Sequence, residues 1–162
     1  MELDQKSAAS EEAGGAEEAA AEAAAAFSCG ISLIILKSKR NTTGPVCVDL
    51  TKHIADIRAM GIECYHENIH ATCLWRKGGF SEDELKMFVR FRKSWLRNKE
   101  RPVHASEGGT CTFGVSERWG SSSNYIRGEL EEFIVAAREC LAPQLGCDLS
   151  SQRPPHVSLR IH

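Results

Sequence analysis

Apolar residues fall in four short runs that predict β-strands. Residues 30–36 (GISLIIL) are apolar at both alternating sets of positions, which is typical of a central strand covered on both faces. Residues 62–66 and 69–75 flank Glu67-Asn68 and predict two strands joined by a two-residue hairpin turn. Residues 110–118 alternate apolar and polar positions and predict a fourth strand at an edge of the sheet.

Helical spacing of apolar residues predicts two helices between these strands. Asp49 is suited to cap a helix whose apolar residues lie on one side, and Gly61 is suited to end it. Ser81 and Glu84 have the spacing of a capping box, in which each side chain satisfies a backbone amide of the first turn. We therefore expect a second helix that starts there and runs to about Arg97.

The order of these elements indicates a fold class. A third helix is expected over about 123–141, where Pro143 ends it, and residues 156–162 predict a short last strand. The first six elements follow a β-α-β-β-α-β order, which is the ferredoxin-like plan with the first and third strands at the centre. We therefore predict an α+β protein with a ferredoxin-like sandwich and an appended C-terminal helix and short strand.

Composition divides the chain into two parts. Residues 1–27 contain eleven alanines and seven acidic residues with a single lysine, so they have too little apolar surface to form a core. We predict an acidic, Ala/Glu-rich disordered tail at 1–27 and a single domain at 28–162. The domain carries 19 Lys and Arg against 15 Asp and Glu, a formal net charge of +4. A basic body beside an acidic tail favours a polyanionic partner.

The sequence also bears on the compartment. The acidic opening lacks the pattern of a signal peptide, and no stretch approaches the roughly 20 apolar residues that a membrane span requires. The seven cysteines are scattered, odd in number and without CxxC spacing, which favours buried free thiols in a reducing compartment. We therefore expect a cytoplasmic or nuclear protein without a membrane partner.

Two cysteines and two histidines lie within the ten residues 64–73 (CYHENIHATC). On the predicted hairpin Cys64, His66 and Cys73 share one face, whereas His70 points the other way because strand side chains alternate. A zinc site requires four ligands that converge at about 2.0–2.3 Å from one point. We therefore predict no metal and no cofactor, and we interpret both cysteines as packing residues, with metal binding as an alternative.

An enzyme is a weaker alternative. Cys64 and His66 share a face of the predicted hairpin, but that face is turned toward the core, where no substrate reaches. His104 and Cys111 form another formal pair, in the region of a predicted loop, and would serve a hydrolytic or transfer reaction. The chain has neither a GxGxxG nor a GxxxxGK[ST] phosphate loop, and it has no GxSxG elbow.

Positive charges follow one face of the predicted helix over 81–97. Four of them fall within an arc of about 60° at the spacing i, i+4, i+7 and i+11; they are Lys86, Arg90, Lys93 and Arg97. Like charges at i, i+4 repel by a few tenths of a kcal/mol, so an uninterrupted row favours a function, with a solvated charged face that has no partner as the alternative. Arg76, Lys77 and Arg101 extend the row at its two ends, and we expect Met87 and Phe91 to be exposed beside it.

Regularly spaced cations beside aromatic residues suit the phosphates of a nucleic acid. We predict a small intracellular regulatory protein that binds nucleic acid, RNA rather than DNA, through this helix face. The signature residues of an RRM are absent from the predicted strands, so binding would depend on charge and shape. The alternative is a protein–protein interaction module without nucleic acid, for which the Trp119-Gly120 loop is a candidate contact.

Overall fold

The computed structural model of the protein describes residues 27–37, 43–62, 64, 68–98, 110–119 and 123–158. In these ranges seven strands form one antiparallel sheet, curled as a half-barrel, in the order β1-β5-β6-β7-β4-β3-β2. In chain order the strands are β1 (Phe27–Gly30), β2 (Leu33–Lys37), β3 (Thr43–Asp49), β4 (His70–Leu74), β5 (Thr110–Trp119), β6 (Ser123–Gly128) and β7 (His156–Ser158).

The described residues also contain three α-helices, which are α1 (Ile54–Ala59), α2 (Glu82–Arg97) and α3 (Glu129–Leu145). Short 3-10 turns occur at Thr51–His53 and Leu149–Ser151. Helix α3 packs on β4, β5 and β6, and α2 packs on α3 and reaches β2. Among the helices described, none is both long and apolar enough to cross a membrane.

The predicted ferredoxin-like sandwich is wrong. That plan places the apolar run 30–36 at the centre of the sheet and 110–118 at an edge. In the structure β2 pairs with β3 at one edge of the described sheet, whereas β5 lies inside it between β1 and β6. The side chains at 33–36 are half-buried, so the run is apolar because α2 packs near this edge, not because the strand is central.

Strand β3 explains much of this difference, because no strand is predicted at its segment (TGPVCVD), where Asp49 is expected to cap a helix. Gly44 and Pro45 are typical of turns, yet the three residues that follow them are fully buried in the sheet. A Cβ at Gly44 would collide with the Leu36 carbonyl, so the glycine allows β2 and β3 to approach closely.

The helix predicted after β3 is confirmed, as is its end at Gly61, but its start is not, because a 3-10 turn follows Asp49 and α1 begins only at Ile54. The Asp49 carboxylate accepts hydrogen bonds from the Thr51 amide at 3.0 Å and the Thr51 hydroxyl at 2.6 Å. A 3-10 turn and α1 follow, and the chain leaves the helix at Gly61, whose φ of 82° favours glycine.

The predicted hairpin between 62–66 and 69–75 is also wrong. Residues 70–74 do form a strand, β4, but β3 and β7 pair with its two edges, so that Ala71 faces both Val48 and Val157. Ile62 and Cys64 belong to no strand, and residues 63 and 65–67 lie outside the described residues. Strand pairing in this region was therefore set by distant segments rather than by the nearest turn.

The C-terminal part of the fold differs in its helix start. The predicted helix over 123–141 begins six residues later, because 123–128 form β6 against β5. Gly128, with a φ of 87°, makes the change from strand to helix, and its missing side chain leaves room for the Thr112 carbonyl. Pro143 lies inside the last turn of α3 rather than after it. The short last strand is confirmed over 156–158, and 159–162 lie outside the described residues.

The start of β1 bears on the predicted tail. Phe27, which composition placed in the tail, begins β1 and pairs with Phe113, and their rings lie 4.2 Å apart. Residues 1–26 lie outside the described residues.

The capping box at the start of α2 is confirmed and extends into a larger network. The Glu84 amide donates to the Ser81 hydroxyl at 3.2 Å, and the Ser81 amide donates to the Glu84 carboxylate at 2.9 Å. Arg76 donates to the same carboxylate at 2.7 Å and to the Leu145 carbonyl at 2.9 Å. The hydrogen bond from Arg76 lowers the pKa of Glu84. Arg76 therefore links the start of α2 to the end of α3.

Replacing Arg76 should destabilise the protein, whereas its neighbour Lys77 is exposed and serves as a matched control. We expect Arg76→Ala to lower the free energy of unfolding by about 1–3 kcal/mol, and Lys77→Ala to change it by less than about 0.5 kcal/mol. Urea denaturation at pH 7 measures both values. Equal effects of the two substitutions would contradict the network.

The difference between these variants should depend on pH. The folded-state pKa of Glu84 is lowered, so its stabilising pair is complete above the unfolded value of about 4.3 and is lost as the pH falls through the folded value. We therefore expect the gap between wild type and Arg76→Ala to shrink in urea titrations below about pH 4.

Candidate nucleic-acid interface

Helix α2 presents its cations to solvent and its apolar residues to the core. Phe88 is buried, and Leu85, Trp95 and Leu96 pack against the core beside it. The four cations of the predicted row are all exposed; they are Lys86, Arg90, Lys93 and Arg97. The row therefore lies on a surface that a large ligand can reach.

Three of these cations line one groove. Arg90, Lys93 and Arg97, together with Ser94 and Asn98, surround a groove of about 450 Å³. No carboxylate belongs to this lining, and the structure gives the three cations no ion pair with any residue it describes. Lys86 differs, because its Nζ lies 3.3 Å from an Asp83 carboxylate oxygen, although both groups are exposed. The groove is thus a concentrated positive surface.

The positive surface continues beyond α2. Lys93 also lines a second groove, of about 560 Å³, between α2, the end of β1 and the turn at Thr51–His53. Lys52 and Arg92 line this groove too, as does the carboxylate of Asp49, so its positive charge is partly offset. Arg92 also donates to the Ile31 carbonyl at 3.0 Å. Lys52 was not predicted to belong to this surface, because its position beside α2 depends on the pairing of β3 with β2.

The residues predicted to extend the row differ from one another in the structure. Arg76 donates hydrogen bonds to the Gly79 and Leu145 carbonyls and to the Glu84 carboxylate. Its guanidinium lies 4.6 Å from the centroid of the Phe80 ring. Lys77 is exposed in the turn before α2, and Arg101 lies outside the described residues. Because of these intramolecular contacts we leave Arg76 out of the candidate interface.

The expectation that Met87 and Phe91 are exposed is wrong. Both are partly buried against the core, and the Phe91 ring lies 5.8 Å from the Phe133 ring of α3. The Trp95 ring lies 5.4 Å from the same phenylalanine. Helix α2 touches both the sheet and α3, so its apolar arc is wider than the single stripe assumed from the sequence. Neither side chain is therefore placed to stack with a base beside the basic row.

Both cysteines of the Cys/His cluster at 64–73 are buried. Cys73 is fully buried in β4, where burial raises the pKa of its thiol to about 12, and burial also raises the pKa of Cys64. The His70 Nδ1 lies 3.1 Å from the Asn68 carbonyl, and His66 lies outside the described residues. No group of three metal-ligating side chains occurs in the part of the chain that the structure describes.

The other formal Cys/His pair is not arranged as expected. Cys111 lies in β5 rather than in an accessible loop, it is fully buried, and its Sγ is 3.8 Å from the Sγ of Cys29. His104 lies outside the described residues. A thiol in this position is shielded from any substrate.

Trp119 ends β5 and is half-buried. Its ring lies 4.4 Å from the His156 ring and 6.1 Å from the Tyr125 ring. Gly120 lies outside the described residues, so contact with a protein partner through the Trp119-Gly120 loop stays a prediction.

No protein-family model matches the chain, and no curated protein or solved structure matches it either. A functional assignment therefore depends on the chain's own side chains, and the basic face of α2 is the candidate that the sequence and the geometry share.

The burial of the cysteines gives a chemical test. At pH 8 a thiol with a pKa of about 12 has a thiolate fraction of about one in ten thousand. We therefore expect iodoacetamide to label Cys140, which is exposed on α3, long before Cys47 and Cys73 in the native protein. Peptide mass spectrometry at timed intervals measures this order. Native Cys73 labelled as fast as Cys140 would show that the thiol is accessible and reactive.

Proposed function

We propose that the protein binds nucleic acid, with RNA as the favoured ligand, through the exposed face of α2. The observation that carries the proposal is the groove lined by Arg90, Lys93 and Arg97 without a carboxylate in its lining. The three positive side chains repel one another. Phosphates bound between them would reduce this repulsion and release the counterions of the nucleic acid. A role as a small regulatory protein of the cytoplasm or nucleus belongs to the same proposal.

The length of the row suits several phosphates. With a rise of about 1.5 Å per residue, Lys86 to Arg97 extends about 16 Å along the helix, which corresponds to about five steps of a strand at 3.4 Å per charge. Lys52 and Arg92 beside the second groove widen the surface to include a bent or folded strand.

The exposed side of α2 favours recognition without sequence specificity. Its groove offers cations, a hydroxyl and an amide, whereas the aromatic side chains of the helix pack inward. Phosphate contacts position a ligand but do not read its bases. RNA is favoured because RNA helices are recognised largely through their shape and phosphates.

Binding should depend strongly on salt. Four phosphate contacts give a slope of log K against log salt of about −3 to −4. We expect the full chain to bind a 20-nucleotide RNA, single-stranded or duplex, and to lose affinity along this slope between 50 and 200 mM salt. Fluorescence anisotropy of labelled RNA, with a DNA duplex of the same sequence alongside, measures the affinities.

A matched pair of substitutions locates the interface. Lys93→Glu and Lys37→Glu change the net charge equally, but Lys37 is exposed at the end of β2 and lines neither groove. We expect Lys93→Glu to weaken binding about tenfold or more and to reduce the salt slope by about one or two units. Lys37→Glu should weaken it far less. Circular dichroism melting confirms that both variants fold.

The proposal fails if no RNA binds at 50 mM salt or if the two variants lose affinity equally. It also fails if polyglutamate of the same charge binds as tightly as RNA, because the α2 face would then be a surface for acidic proteins.

A further inference from the structure

A further cleft lies beside β4, β7 and α3. It shares no lining residue with either of the two grooves beside α2. It encloses about 520 Å³, a volume typical of small-molecule sites. Two arginines, a histidine, three hydroxyl side chains, a glutamine and a tryptophan line it, namely Arg138, Arg153, His156, Thr72, Ser151, Ser158, Gln152 and Trp75. No carboxylate belongs to this lining.

The cleft exists because β7 pairs with β4 at a single position, Ala71 with Val157. Pro154 and Pro155 precede β7, and proline has no amide hydrogen to continue the ladder. A side chain of α3 also reaches the backbone of β4 here. Arg138 donates from Nε to the Cys73 carbonyl at 2.7 Å and from Nη2 to the Thr72 carbonyl at 3.2 Å. These hydrogen bonds connect α3 to β4 beside the cleft.

The Gln152 side chain makes a similar contact with the backbone at Trp75, the residue that follows β4. Its amide pairs with the backbone of Trp75 in both directions, accepting from the Trp75 amide at 2.9 Å and donating to the Trp75 carbonyl at 2.8 Å. The backbone of Trp75 is thus held at the rim of the cleft, where the residue is 48% exposed. An exposed indole is a surface on which a flat base can stack.

Arg138 places a positive charge at the bottom of the cleft. It is 8% exposed, and the structure gives it two carbonyl partners but no ion pair with any residue it describes. Arginine remains charged even though burial lowers its pKa. A buried cation without a counterion is costly, and an anion that enters the cleft offsets that cost.

Arg153 adds a second cation to the cleft, and His156 lines the same cleft. The Arg153 guanidinium lies 5.9 Å from the Trp119 ring centroid, and the Trp119 ring lies against His156. Burial lowers the pKa of His156, the hydrogen bond with the Pro154 carbonyl raises it, and the charges of Arg153 and Arg138 lower it again. The His156 Nδ1 is 2.7 Å from the Pro154 carbonyl, so its Nε2 is the nitrogen left for a ligand.

We propose that this cleft binds the phosphate of a nucleotide, with Arg138 and Arg153 contacting the phosphate and Trp75 stacking on the base. The hydroxyls of Thr72 and Ser158 donate to the remaining phosphate oxygens, whereas the Ser151 hydroxyl already donates to the Asp148 carbonyl at 2.8 Å. This site does not depend on the α2 interface, because the two have separate linings.

Calorimetric titration of the full chain with three probes tests the site: adenosine 5′-monophosphate, inorganic phosphate and adenosine. We expect the monophosphate to bind with a Kd below about 1 mM, inorganic phosphate to bind more weakly, and adenosine to bind at least tenfold more weakly than the monophosphate. Adenosine binding as tightly as the monophosphate, or no binding of either phosphate at 10 mM, would overturn the proposal.

Substitutions locate the site. Arg153→Gln removes an exposed side chain for which the structure gives only the ring contact, so the fold should be retained. We expect it to weaken binding of the monophosphate about tenfold, whereas Lys37→Gln and the α2 variant Lys93→Glu leave it unchanged. Equal affinity in Arg153→Gln and wild type would place the ligand elsewhere.

A measurement on the wild-type protein needs no variant. Bound phosphate should raise the pKa of His156, because an anion stabilises the imidazolium, and NMR titration of the histidine ring with and without the monophosphate measures the change. An unchanged His156 titration at saturating ligand would overturn the proposal.

Discussion

The sheet depends on one joint, the place where β7 and the Arg138 side chain hold two groups of strands together. Strands β2, β3 and β4 form one antiparallel group, β1, β5 and β6 form another, and the three residues of β7 lie between them. Strand β7 pairs with β4 at one position, and Arg138 adds two hydrogen bonds to the β4 carbonyls of Thr72 and Cys73. Helix α3, which carries Arg138, is thereby fixed across β4, β5 and β6, and α2 packs on α3 through Phe133. The joint therefore positions both candidate binding sites.

The cations of this chain have two distinct uses. Arg76, Arg92 and Arg138 turn inward and donate to backbone carbonyls that secondary structure leaves open. Arg90 and Lys93 point to solvent beside a groove without a carboxylate in its lining. The sequence does not distinguish inward-pointing from exposed cations. Arg76 was therefore predicted to extend the basic row because it lies just before α2. An arginine that donates to backbone carbonyls stabilises the fold. Its charge is accessible to a ligand only where a cleft reaches the side chain, as at Arg138.

Local signals predicted the local structure well. Ser81 and Glu84 specify the start of α2 through contacts three residues apart, and the row on its outer face follows from helical periodicity alone. The topology could not be found in this way, because the pairings of Phe27 with Phe113 and of Ala71 with Val157 join distant segments. Periodicity also misled where β6 runs into α3, since Ile126 happens to continue the apolar spacing of the helix. For the cleft one signal was present: Arg138 interrupts the apolar stripe of α3, and a charge on a buried stripe needs a buried partner.

The most direct test of this account is the stability of Arg138→Met, compared with Glu139→Met at the exposed neighbouring position. Methionine retains apolar bulk but leaves the Thr72 and Cys73 carbonyls without their donors. We expect Arg138→Met to lower the free energy of unfolding in urea by about 2–4 kcal/mol, and Glu139→Met to change it by less than about 0.5 kcal/mol. In the folded variant, amide hydrogen exchange should accelerate at 70–74 and 156–158 more than in β3. Wild-type stability with unchanged protection of β7 would contradict the central role of Arg138.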